Sequence, residues 1–186
     1  MSLSTSPRCN PVPLVLTVIG DDRPGLVEQL AAAISAHHAN WLESSMSQLS
    51  GKFAGIVCIS VAPAQLEPLK AALASLPGLR ITAEAGAASK ASAAPAAQRR
   101  LKLSLVGHDR IGIVREVSQV LARHAINVEE LATHTASAPM SAEILFHASA
   151  ELTAAANLDA RALTSDLEQI SNDLMVDITL DETIRS

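Results

Sequence analysis

The sequence predicts an α+β protein made of two copies of one βαββαβ unit, each an antiparallel four-stranded sheet with two helices on one face. Three observations carry this. The segment Leu14–Val27 (LVLTVIGDDRPGLV) returns 87 positions later as Leu101–Val114 (LKLSLVGHDRIGIV), and the register holds without a gap to Glu43 and Glu130. Ten of those thirty aligned pairs are identical, among them Gly20/Gly107, Asp22/Asp109, Arg23/Arg110, Gly25/Gly112, His37/His124 and Asn40/Asn127, which marks an internal duplication. Each copy opens with a short apolar run that stops at a glycine and passes into a helical apolar period. Between the copies lies GAASKASAAPAAQR, residues 86–99, with nothing to bury and the composition of a linker. The implied division is a tail 1–12, a first domain 13–85, the linker 86–99, a second domain 100–182 and a tail 183–186.

The elements follow in order. Pro13 to Ile19 and Leu101 to Val106 are short apolar runs, hence first strands. Asp22 and Asp109 are placed to cap the helices that follow, accepting from orphan N–H groups at the positive end of the helix dipole. Pro24 fits a first turn, where its missing donor costs nothing. Leu26, Val27, Leu30 and Ile34, and in the second copy Ile113, Val114, Val117, Val120 and Leu121, recur at helical spacing. Asn40 to Leu49 and Phe53 to Val61 flank Ser50-Gly51-Lys52 as a hairpin. Its counterpart runs from Val128 to about Thr135, turns over Ala136 to Pro139 and returns through Ala142 to Ala148. Leu66, Leu69, Leu73 and Leu76 mark a second helix ended by Pro77-Gly78, and Leu158 to about Asn172 is its partner. Arg80 to Glu84 and Met175 to Leu180 are the last strands.

Right-handed crossovers put both helices of a βαββαβ chain on the same side of an antiparallel sheet, the ferredoxin-like arrangement. Each copy is small enough that one core buries only marginally enough surface. The other sheet face or an edge strand is therefore expected to meet the other copy or another chain, and a homodimer is one form of this.

Composition narrows the function. A net charge of −5 gives no general attraction to phosphate backbones. With Trp41, Phe53 and Phe146 as the only aromatic rings besides histidine, base-stacking platforms cannot be built. Direct nucleic-acid binding is not expected. Cys9 and Cys58 form no C-x-x-C pair, and Cys58 reads as a small buried hydrophobe. The absence of a long apolar span or a signal-peptide pattern points to a cytoplasmic protein that does not associate with membranes.

A strand followed by Gly-x-Asp-Arg-Pro-Gly and a helix, with an Asn fifteen residues after the last Gly at the entrance to the second strand, resembles the ACT domain. The resemblance runs from about Pro13 to Asp181. ACT domains are small regulatory modules that commonly bind amino acids, and a bare tandem is similar in layout to the glycine cleavage system transcriptional repressor family. The chemistry fits such a ligand. Backbone at Pro24-Gly25-Leu26 and Ile111-Gly112-Ile113 lies at helix starts suited to a carboxylate. Asp22 and Asp109 suit an ammonium group, and the amides of Asn40 and Asn127 both donate and accept. The resemblance implies that effectors are held at this loop and this Asn, commonly between two ACT units. The bland readings stand beside these: an Asp before a helix is a cap, a Gly after it serves packing, and an Asn at a strand entrance makes a turn. The second copy departs from the pattern with Ile111 in place of proline and His108 beside its Asp.

His37 and His124 fall at the ends of the first helices, where an imidazole can cap carbonyls. No metal-ligand spacing, P-loop, dinucleotide fingerprint or nucleophile elbow is present, so no metal, cofactor or catalytic residue is expected. The resulting expectation is a non-catalytic regulator that binds a small amino acid such as glycine and acts through a protein partner such as a transcription regulator. The alternatives are a ligand-free protein-interaction module, or a regulatory subunit of an amino-acid metabolic enzyme.

Overall fold

Leu14, Leu16 and Val18 alternate with exposed or half-buried neighbours, as do Val57, Ile59 and Val61, so each of these strands buries one face. The computed structural model describes residues 10–86, 98–138 and 143–183. They fall into two compact units of like build.

The first unit runs β1 (Val12–Asp21), α1 (Leu26–Ala36), β2 (Asn40–Leu49), β3 (Lys52–Val61), a 3-10 turn over Pro63–Gln65, α2 (Leu66–Ala74) and β4 (Leu79–Ala85). The second runs β5 (Gln98–His108), α3 (Ile113–Arg123), β6 (Asn127–Ser137), β7 (Ile144–Ala155), α4 (Ala160–Leu174) and β8 (Val176–Thr183). The sheets are ordered β2-β3-β1-β4 and β6-β7-β5-β8, all antiparallel. Both are the expected ferredoxin-like βαββαβ arrangement.

In the first unit Leu26, Leu30 and Ile34 of α1 and Leu69 and Leu73 of α2 close over the buried strand residues. Ile113, Val117, Val120 and Leu121 of α3 do the same with Leu163, Leu167 and Leu174 of α4 in the second unit. Each such side chain contributes about 1.5–3 kcal/mol of apolar burial. The duplication extends to irregular detail. Both second strands carry a bulge at equivalent places, between Trp41 and Glu43 and between Val128 and Glu130. His38 and Ala125 take the same left-handed conformation after α1 and α3, at φ 54° and 53°.

Several local expectations change. Asp22 and Asp109 do not cap the helices: the N-cap positions are Gly25 and Gly112, neither helix start has a side-chain cap, and Pro24 precedes the cap. The chain turns at the left-handed glycine, which leaves each carboxylate three residues upstream of the cap. The rings of His37 and His124 do not cap carbonyls: His37 reaches Gln65, at the end of the 3-10 turn before α2, at 3.3 Å, and His124 reaches Asp166 of α4 at 2.9 Å. Cys58 is half-buried, because its place in β3 turns it to the face away from the helices. The return strand β7 runs to Ala155, since it pairs with β5 along its whole length. Gln98 and Arg99 belong to β5, and the rest of the 86–99 linker beyond Gly86 lies outside the described residues, as do Pro139 and Ala142 of the second hairpin.

Candidate functional site

Each loop between first strand and first helix is built the same way. The chain leaves β1 at Asp21, and the Asp22 N–H donates to the Gly51 carbonyl at 2.9 Å; in the second unit the Asp109 N–H donates to the Ile144 carbonyl at 3.0 Å. These bonds tie the loop to the neighbouring hairpin. The turn into the helix then needs a left-handed residue, and Gly25 (φ 87°) and Gly112 (φ 101°) supply it. A methyl group built on Gly25 would meet nothing within 4 Å, so this glycine is there for its backbone angle and stands at an open surface.

The result is a helix start whose first-turn N–H groups no side chain occupies. The second helix of the second unit is made differently: Asp159 caps α4 by accepting from the N–H groups of Arg161 and Ala162. The Asp22 and Asp109 carboxylates are exposed and have no side-chain partner among the described residues. In both units an exposed carboxylate thus stands three residues ahead of an uncapped, electropositive helix start.

The remaining candidates divide. Leu26 and Ile113 are buried core anchors, so only their backbone N–H groups face the loop, while Ile111 is fully exposed. Pro24 has no N–H to offer. Asn40 and Asn127 open β2 and β6 at the far ends of α1 and α3, eleven-residue helices about 16 Å long. Asn40 pairs with Ser60, whose other neighbour is Pro13 at the start of β1, whereas the loop leaves from the end of β1. Within one unit the loop and the Asn are not brought together, and no single small amino acid spans them. Asn127 instead lines an open cleft of about 430 Å³ in which Gln98, Thr153 and Asn157 stand among alanines.

Arg23 and Arg110 act within the protein. The Arg23 guanidinium donates to the Pro77 carbonyl at 2.8 Å and to Gln29 at 3.2 Å, which fastens the loop to the turn before β4. Arg110 donates to Glu116 at 3.2 Å. Sequence reasoning missed a cleft of about 320 Å³ beside the first loop, lined by Gly20, Asp21, Lys52, Gly78 and Arg80. There the Lys52 ammonium donates to Asp21, and that bond, with the Lys52 charge, holds the Asp21 carboxyl below its ordinary range. Adjacency across β1 and β3 creates this group, so it is visible only once the register is known. Among the described residues no cluster of three or more His, Cys, Asp or Glu could hold a metal, and no helix is long and apolar enough to cross a membrane.

Comparison with known proteins agrees with this architecture. The model of the ACT domain family matches residues 12–78. The solved structure of an unknown protein from Galdieria sulphuraria is 31% identical, with 94% of this chain and 99% of that one covered at a TM-score of 0.83. A protein provisionally described as a glycine cleavage system transcriptional repressor is 18% identical, with 94% and 99% covered at a TM-score of 0.67, a likeness of fold. No curated protein matches the chain.

Proposed function

We propose that the chain is a non-catalytic regulator built of two ACT-like domains that binds a small amino acid at its strand-to-helix loops; the ACT domain family model matches residues 12–78, and the second unit repeats the same βαββαβ fold. The observation that carries this is the repeated pairing of an uncapped helix start with an unpartnered carboxylate, at Gly25 with Asp22 and at Gly112 with Asp109. The ligand's carboxylate accepts from the first-turn N–H groups and its ammonium pairs with the Asp. Asn40 and Asn127 are too far from their own loops to complete the same site, so any such contact comes from outside that domain.

Regulation then passes to a protein partner. Control of transcription through a partner regulator is the form suggested by the two-domain layout shared with the provisional repressor, and the net charge of −5 speaks against direct DNA contact. Glycine or a similarly small amino acid suits the loop because what the site offers is backbone N–H groups and one exposed carboxylate.

Thermal unfolding against each of the twenty amino acids at millimolar concentration tests the reading. A ligand at one hundred times its Kd adds about 2.7 kcal/mol, several degrees at roughly 2–4 °C per kcal/mol. Asp22→Ala and Asp109→Ala are expected to remove the shift. No shift with any amino acid would overturn ligand binding, and sequence-specific DNA retention by the purified protein alone would overturn the partner-mediated role.

A further inference from the structure

The first sheet turns one face away from its helices, and the pairing register places that face in rows. Ser47, Ala54, Ile19 and Arg80 form one row, Ser45, Ile56, Thr17 and Thr82 the next, and Glu43, Cys58, Val15 and Glu84 the third. On the two central strands the face is apolar apart from Thr17, with Ile56 56% exposed. At the β4 side stand Arg80 and Glu84, both exposed and about 13 Å apart on one face; neither makes a hydrogen bond or ion pair among the described residues, and the Arg80 charge also acts on nearby Asp21.

We propose that this face associates with the same face of a second copy of the chain, about a two-fold axis running across the strands through the Thr82–Thr17–Ile56 row. Charge selects both the partner and the axis. Rotation about that axis sets Arg80 of each copy over Glu84 of the other, twice, with Val15 over Ile19 and Ile56 over itself. A two-fold axis along the strands would instead lay Glu84 over Glu43, carboxylate on carboxylate. The second sheet does not repeat this pair: its equivalents of Arg80 and Glu84 are Asp177 and Asp181, the latter beside Lys102, so the same rotation sets carboxylate over carboxylate on β8. A self-complementary patch of this kind is what an isologous dimer requires.

The face measures about 19 Å across four strands and about 30 Å along them. Its projected area, roughly 500–600 Å² per copy, lies below the about 800 Å² per partner of a standard interface, so the dimer is concentration-dependent. The association does not depend on the ligand reading.

Sedimentation velocity from low to high micromolar concentration tests it, with circular dichroism confirming the fold of each variant. The wild type is expected to pass from monomer to dimer. Arg80→Glu and Glu84→Arg should each weaken self-association about tenfold or more, because each places like charges face to face. Mixing the two variants should restore it, since Arg80→Glu in one chain then faces Glu84→Arg in the other. Thr82→Arg, which sets two cations on the axis, should abolish it, and Asp177→Lys should leave it unchanged. A wild type that stays monomeric, an association indifferent to Arg80→Glu, no recovery on mixing, or loss through Asp177→Lys would each overturn the proposal.

Discussion

His124 Nε2 lies 2.9 Å from Asp166 Oδ2, joining the C-cap of α3 to the middle of α4 across 42 residues of chain. The equivalent His37 reaches Gln65 at 3.3 Å, just before α2. Each unit thus pins its two helices together with the same repeated histidine against a different partner, and the imidazole serves helix packing. The His124 side chain is 16% exposed and Asp166 39%, so the bond is partly screened by solvent.

His124→Ala is therefore expected to destabilise the second unit by about 1 kcal/mol, the net worth of one hydrogen bond. Urea unfolding measures this. In a double-mutant cycle with Asp166→Ala, most of that loss should appear as coupling between the two positions. Additive losses would show that the histidine acts through packing alone.

Gly25→Ala and Gly112→Ala should each cost about 1–2 kcal/mol, since an L side chain pays that much in the left-handed region. At Gly25 the open surface removes steric clash from the account, so Gly25→Asn should cost less than Gly25→Ala. Equal losses for Ala and Asn in chemical unfolding would contradict a purely conformational role.

Two carboxylates set the acid response. The Lys52 hydrogen bond and charge depress Asp21, and the Arg99 hydrogen bond at 2.9 Å depresses Glu182 against the opposing effect of desolvation, with the Arg99 charge a lesser addition. A carboxyl whose folded value lies below its unfolded value adds stability at neutral pH, and that part is lost as pH falls through the unfolded value of about 4 and then the folded one. Both carboxylates are exposed, so the effect is small. Lys52→Ala should raise the Asp21 titration midpoint observed by NMR, and Arg99→Ala should raise that of Glu182. An unmoved midpoint would contradict the assigned cause.

The order of elements was legible because each strand and helix buries one face, which leaves its period in the sequence: Leu14, Leu16 and Val18 for β1, Leu26, Leu30 and Ile34 for α1. The end of β7 was hidden, because Ser149 to Ala155 is small and mixed in character and becomes a strand only by pairing with β5. The loop was legible as a motif and misread as a cap, since Asp-Asp-Arg-Pro-Gly does not state which residue will turn left-handed. Partners distant in sequence left no local trace. His124 with Asp166, and Arg80 in line with Glu84 over an apolar centre, emerge from register and packing alone.

In the proposed function the first turn of α1 receives the carboxylate of an amino acid. Amide chemical shifts of the ¹⁵N-labelled protein, followed during titration with each amino acid that raises the unfolding temperature, test it most directly. Saturable shifts are expected at Gly25, Leu26 and Val27, with matching changes at Gly112, Ile113 and Val114 if both loops bind, and Asp22→Ala should weaken the response of the first set. Saturable shifts confined to other regions, with these amides unmoved, would contradict the account.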